Sequence, residues 1–145
     1  MPKIFTSDKQ KIGQSGEDIA CEFLMKQGFA ILERNYTKKW GEIDIVGKKD
    51  GKLYFFEVKS TSVSGLPAKA LASAGETPNM VPHETYRPED NMHPWKIKRL
   101  SRTIQTYLLE RKVPENMDWQ FDLLAVFMNL EKRTAIVKRI GNVIL

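Results

Sequence analysis

Apolar residues recur at helical spacing near the start of the chain. Ile19, Ala20, Phe23 and Leu24 form one stripe while Asp18 and Glu22 face away from it, which predicts a helix over 13–27 with Gly28 as its stop signal. The period then changes. Residues 29–36, 42–48 and 52–59 read as strands, with a break at Trp40-Gly41 and a hairpin turn at Asp50-Gly51. Periodicity disappears over 60–93, where Pro67, Pro78, Pro82 and Pro88 fall among glycines and serines, so a long mobile loop is expected there. A second helix over 94–112 carries Ile97, Leu100, Ile104 and Leu108 as its stripe, and Pro94 suits its first turn. Residues 119–128 make a strongly apolar strand and 135–140 a last one. Helix, three strands, helix, two strands implies an α/β fold with a mixed central sheet flanked by helices.

A chain of 145 residues is one domain, large enough to bury a core, and 41% hydrophobic with 28% charged residues argues against disorder. The net charge of +5 favours polyanionic partners, nucleic acid first among them. A single cysteine, Cys21, allows no intrachain disulfide and fits a reducing cytoplasm, and it is expected in the core. Residues 1–10 lack the apolar core and cleavage site of a signal peptide, and the longest apolar run, 123–128, suits a buried strand rather than a membrane span. A cytoplasmic protein without a membrane partner is the expectation.

The chemistry comes from register. If Asp50 and Gly51 are the two loop residues, Lys49 pairs with Lys52, and counting back puts Asp44 opposite Glu57 and Glu42 opposite Lys59. Directly opposed side chains have Cβ atoms about 4.5–5.5 Å apart, where like charges repel. A divalent cation offsets that repulsion, and Mg²⁺ takes one or two carboxylates together with waters and phosphate oxygens. Lys59 points to the same side as Glu57, as a group to orient or deprotonate water or to neutralise charge at a phosphate. Glu42 then reads as the salt-bridge partner of Lys59. Glu17 reads equally as an accessory acid or as a first-turn glutamate favoured by the helix dipole.

Lys96, Lys98, Arg99 and Arg102 crowd the start of the second helix, either as phosphate contacts beside the acidic pocket or, for each residue singly, as a solvated face. Trp95 reads as a packing or staple residue, and Trp40 is open between packing and nucleic-acid contact. His83 and His93 lack the spacing of a zinc site. Asp122, in an apolar strand, is expected to accept hydrogen bonds rather than to catalyse.

Gly13-x-x-Gly16-Glu17-x-x-Ala20, Gly28-Phe29, Arg34-Asn35-Tyr36, Gly41-Glu42-Ile43-Asp44 and Phe56-Glu57-Val58-Lys59 together resemble the YraN-like family. That family is grouped with the Holliday junction resolvases in the PD-(D/E)XK, or restriction-endonuclease-like, superfamily. The resemblance implies an αβββαβ core, metal ligation by Asp44, Glu57 and the Val58 carbonyl, Lys59 as the catalytic lysine, and Glu17 as an accessory acid. Three features depart from the family: Ser60-Thr61-Ser62 follow the lysine where a basic residue is expected, the proline-rich segment is long, and Gln120 stands where arginine is expected. The expected function is a Mg²⁺- or Mn²⁺-dependent endonuclease acting on DNA, with branched or damaged DNA as candidate substrates and a homodimer left open. The alternatives are a non-catalytic nucleic-acid-binding module that keeps the fold and an interaction protein that docks through its proline-rich loop.

Overall fold

In the computed structural model, which describes residues 8–62, 93–129 and 131–145, five strands form one sheet in chain order. They are β1 (Ala30–Lys38), β2 (Gly41–Lys49), β3 (Lys52–Ser62), β4 (Trp119–Asn129) and β5 (Thr134–Ile140). Helix α1 (Asp8–Lys26) precedes β1, and α2 (Pro94–Glu110) lies between β3 and β4. Neighbouring strands are antiparallel except β3 and β4, which run parallel. A parallel step needs a crossover, and α2 lies within it.

The two helices cover opposite faces. Phe23 and Leu24 of α1 pack with Ile45, Phe56, Leu124 and Val126, while Leu100, Ile104 and Tyr107 of α2 pack with Val46, Leu53, Phe55 and Leu123. β4 is covered on both faces and is buried from Phe121 to Asn129, which is why it reads as a continuous apolar run. Cys21 is in the core, as expected.

Local signals place the ends. Gly28, at φ 94°, closes α1, and the Phe29 N–H bonds back to the Leu24 carbonyl. Asp50 and Gly51 both have positive φ, 51° and 75°, as a two-residue type I′ hairpin requires, and Lys49 pairs with Lys52. Pro94 opens α2, with His93 as N-cap accepting from the Trp95 N–H at 3.3 Å.

Several boundaries differ from expectation, β1 running on to Lys38 among them. α1 starts at Asp8, not at residue 13, because its first turns are made of good helix formers that carry no apolar stripe. α2 stops at Glu110, two residues early, and Lys112 beyond it is left-handed at φ 52°. Ser60, Thr61 and Ser62 are strand rather than loop, because β4 offers them partners at Val126, Phe127 and Met128. The rest of the expected loop, 63–92 with His83, lies outside the described residues.

Strand alternation reverses in β2. Ile43 and Ile45 would share a face in a regular strand, yet Ile43 packs on the α2 side and Ile45 on the α1 side. Across on β1, Arg34 pairs with Ile45 and Tyr36 with Ile43, and Asn35 between them has φ 53°. Asparagine tolerates the left-handed region better than most residues. The reversal therefore falls at Asn35 and Asp44.

Two glycines let the helices approach this point. A Cβ on Gly16 of α1 would lie 1.7 Å from Ser60 Oγ and 2.8 Å from Ser60 Cβ. One on Gly41 would lie 2.5 Å from Thr103 Oγ1 and 3.3 Å from the Arg99 carbonyl oxygen. Gly16→Ala is expected to lower stability by about 1–3 kcal/mol through overpacking, against the ~1 kcal/mol gain the same change gives in an open helix. Urea denaturation measures it, and Ser60→Gly in the same background should restore part of the loss. A more stable single variant would show that the close approach does not constrain α1.

A candidate acidic cleft between the sheet and the second helix

The β2–β3 ladder keeps its expected register as far as Ile45 and Phe56 and ends there, one pair short of Asp44 and Glu57. By that register the Val58 N–H would next serve the ladder opposite Ile43. It donates instead to Asp44 Oδ2 at 2.8 Å. The side chain of Asp44 thus meets β3 where backbone pairing stops. Asp44 and Glu57 are brought together, but across an opening between strands rather than as a ladder pair. Both line a cleft of about 490 Å³ with Glu42, Trp40, Lys96 and Arg99.

Burial pushes the Asp44 pKa up to about 7; the Val58 N–H opposes this, and Glu17, Glu57 and Glu42 add to it. Glu57 is only 15% exposed in its side chain, and its Oε1 accepts from Lys96 Nζ at 2.7 Å. Glu57 Oε2 is buried with no hydrogen-bond partner among the described residues. Lys59 contacts Lys96, and burial together with that neighbouring ammonium lowers its pKa against the pull of Glu57 and Asp44. For Lys96 burial acts downward, but the contact with Glu57 outweighs it and the pKa rises. The lysine paired to the acidic site is therefore Lys96 of α2, not Lys59 of β3.

Glu42 does not face Lys59. The reversal at Asn35 and Asp44 turns it toward α1, where the Asn35 amide, oriented by its partners, donates to Glu42 Oε1 at 3.0 Å and to Glu17 Oε1 at 3.1 Å. Glu17 stands mid-helix, because α1 begins at Asp8, so the first-turn reading of it fails. Its pKa is raised by burial, with Arg34 at 3.7 Å opposing. Gly16, one residue earlier, brings α1 close enough for Glu17 to act on Asp44. The role of Asn35 is not visible in periodicity; its only sequence signal is a residue tolerant of positive φ in mid-strand.

The α2 cations divide. Lys96 and Arg99 line the cleft, Lys98 is exposed outside it, and the Arg102 guanidinium lies 4.1 Å over the Trp40 ring. Trp40 is thus a packing partner at the cleft edge, with a buried Nε1 that has no hydrogen-bond partner among the described residues. Trp95 is 72% exposed and is not a core residue. Asp122 is fully buried and accepts from Gln120, Arg139 and the Asn142 N–H, as a structural acid should. Among the described residues, no group of three or more His, Cys, Asp or Glu side chains is gathered to hold a metal, and no helix is long and apolar enough to cross a membrane.

The raised pKa of Asp44 gives stability a pH dependence of known sign. Its usual value is 3.8, so between that and about 7 the folded protein holds a proton the unfolded chain releases. The contribution is whole below the unfolded value and is lost as pH rises through the folded one. At about 1.4 kcal/mol per unit it amounts to a few kcal/mol at most. Asp44→Asn should therefore gain on the parent protein from pH 5 to about pH 7 in urea melts and level off above that. A difference that does not change with pH would show that Asp44 titrates normally.

The model of the uncharacterised protein family UPF0102 matches residues 16–126, a span that begins at Gly16 and takes in Asp44, Glu57, Lys59 and α2. The UPF0102 protein of Campylobacter lari is 39% identical over 115 residues, covering 79% of this chain and 82% of that protein. One from Campylobacter fetus is 37% identical over 121 residues, covering 83% and 87%. One from Campylobacter jejuni serotype O:2 is 36% identical over 114 residues, covering 79% and 81%. The chain belongs to family UPF0102, the YraN-like family that its Gly-Glu and Gly-Glu-Ile-Asp segments resemble.

Proposed function

We propose that the cleft is the active site of a divalent-cation-dependent endonuclease on a restriction-endonuclease-like core, acting on DNA. The observation that carries this reading is the buried Glu57 Oε2, without a hydrogen-bond partner among the described residues, beside an Asp44 whose carboxylate is disfavoured by its surroundings. Both are what a site leaves unsatisfied when a cation belongs in it.

The donor set fits Mg²⁺ or Mn²⁺. Asp44 and Glu57 offer hard carboxylate oxygens, and the Val58 carbonyl is the third ligand the family resemblance implies. Two carboxylates suffice for an ion that keeps several waters and takes phosphate oxygens. Bound there, the ion supplies Lewis acidity to a phosphoryl oxygen and acidifies a water.

The protein's own side chains do the rest. Lys59, with its ammonium disfavoured by burial and by Lys96, serves as proton acceptor or water-orienting group. Lys96 and Arg99 line the same cleft and neutralise phosphate charge. Glu17 and Glu42, joined through Asn35, keep negative charge near Asp44 and strengthen its hold on a cation. The exposed Lys98 and the stacked Arg102 extend the basic face beyond the cleft, in keeping with a polyanion longer than one phosphate.

Cleavage of linear and four-way-junction DNA with Mg²⁺ or Mn²⁺ tests the reading. Asp44→Ala, Glu57→Ala and Lys59→Met should each lose about a hundredfold or more in rate while staying folded. Equal cleavage by folded variants would overturn it. Salt-sensitive DNA binding by the parent protein with no metal-dependent cutting would leave a non-catalytic binding module instead. A second outcome needs no substrate: excess Mn²⁺ should flatten the decline in stability between pH 5 and pH 8, because it binds the ionised carboxylate.

A further inference from the structure

We infer that Lys96 is a tethered counter-ion that occupies Glu57 until a phosphate draws it away, so that the divalent cation and a phosphodiester enter the cleft cooperatively. This deepens the phosphodiesterase reading and rests on it.

The geometry of Lys96 is the starting point. Its ammonium lies 2.7 Å from Glu57 Oε1, with side chains 33% and 15% exposed. A direct contact of that length, largely shielded from water, is a charge-assisted hydrogen bond rather than a surface pairing. It puts a positive charge on one oxygen of a proposed metal ligand and leaves Oε2 without a partner among the described residues.

Among the described residues, little else supports Lys96. It lies in the first turn of α2, whose free N–H groups make that end positive, and no acidic residue in that turn offsets it. Lys59 brings a second ammonium into contact. Arg99, one turn further along α2, lines the same cleft. The carboxylates, Glu57 by contact and Asp44 at longer range, are what hold Lys96 against these like charges.

A divalent cation at Glu57 removes that hold. Lys96 would then face a dication, Lys59, Arg99 and the helix end together. That crowd is costly while the cleft holds only water, and it is relieved when an anion binds among the cations. Lys96 therefore opposes metal loading in the absence of phosphate and favours it in its presence. By linkage, metal and phosphodiester each tighten the binding of the other.

The test is Mn²⁺ affinity of the full chain, followed by electron paramagnetic resonance of the free ion. It is measured with and without a short phosphorothioate DNA duplex, with Mn²⁺ held by the duplex alone subtracted. Without DNA, Lys96→Met should bind Mn²⁺ about tenfold more tightly than the parent, the worth of one charge-assisted contact. Lys96→Arg, which can keep the ion pair, should stay near the parent. Lys98→Met makes the same charge change on the exposed side of α2 and should alter affinity by less than about twofold, since solvent and salt screen it. DNA should tighten Mn²⁺ binding by the parent, and most of that tightening should vanish in Lys96→Met. Equal effects of Lys96→Met and Lys98→Met, or weaker Mn²⁺ binding by Lys96→Met, would overturn the inference alone, provided Glu57→Gln abolishes Mn²⁺ binding. If Glu57→Gln changes nothing in any background, the phosphodiesterase reading falls with it.

Discussion

The Val58 N–H donates to a side chain, Asp44 Oδ2, where strand register would give it a backbone carbonyl. That one exchange ends the β2–β3 ladder and opens the sheet at the cleft. It also holds the Asp44 carboxylate where burial disfavours its charge. A buried donor must find an acceptor, and an unmade bond here would cost on the order of 1–3 kcal/mol. Asp44 therefore has a structural duty as well as its proposed chemical one. The left-handed Asn35 across the strand turns the chain so that both fit.

The helices bring opposite charge to this opening. α1 approaches through Gly16 and presents Glu17, and α2 approaches through Gly41 and presents Lys96 and Arg99. The acids raise the proton affinity of Asp44, and Lys96 compensates Glu57. A cleft that gathers carboxylates and cationic side chains together suits a ligand pair that is itself a cation and an anion. Ion pairs at the far end of α2, Arg111 with Glu33 and Lys38 with Glu110, are exposed and steady the helix only modestly.

Much of the fold could be read along the chain because its signals are local. The Asp50-Gly51 turn specified its own backbone conformation and hence the register up to Ile45 and Phe56. Gly28 and Pro94 marked helix ends for the same reason. The polar first turns of α1 and the strand residues Ser60–Ser62 were not legible. Residues 8–11 are all polar and carry no apolar stripe, and Ser60 to Ser62 are strand only because β4 lies alongside them.

The sequence by itself determined that hairpin register carries Asp44 close to Glu57 and that α2 has a basic first turn. Tertiary structure decided how they pair. Register assumes regular alternation, and one positive φ at Asn35 breaks it, turning Glu42 toward Glu17 and away from Lys59. The contact between Lys96 and Glu57 joins elements far apart in the chain. It depends on how closely α2 docks against Gly41, a distance set by packing between layers and not by the order of residues within either one.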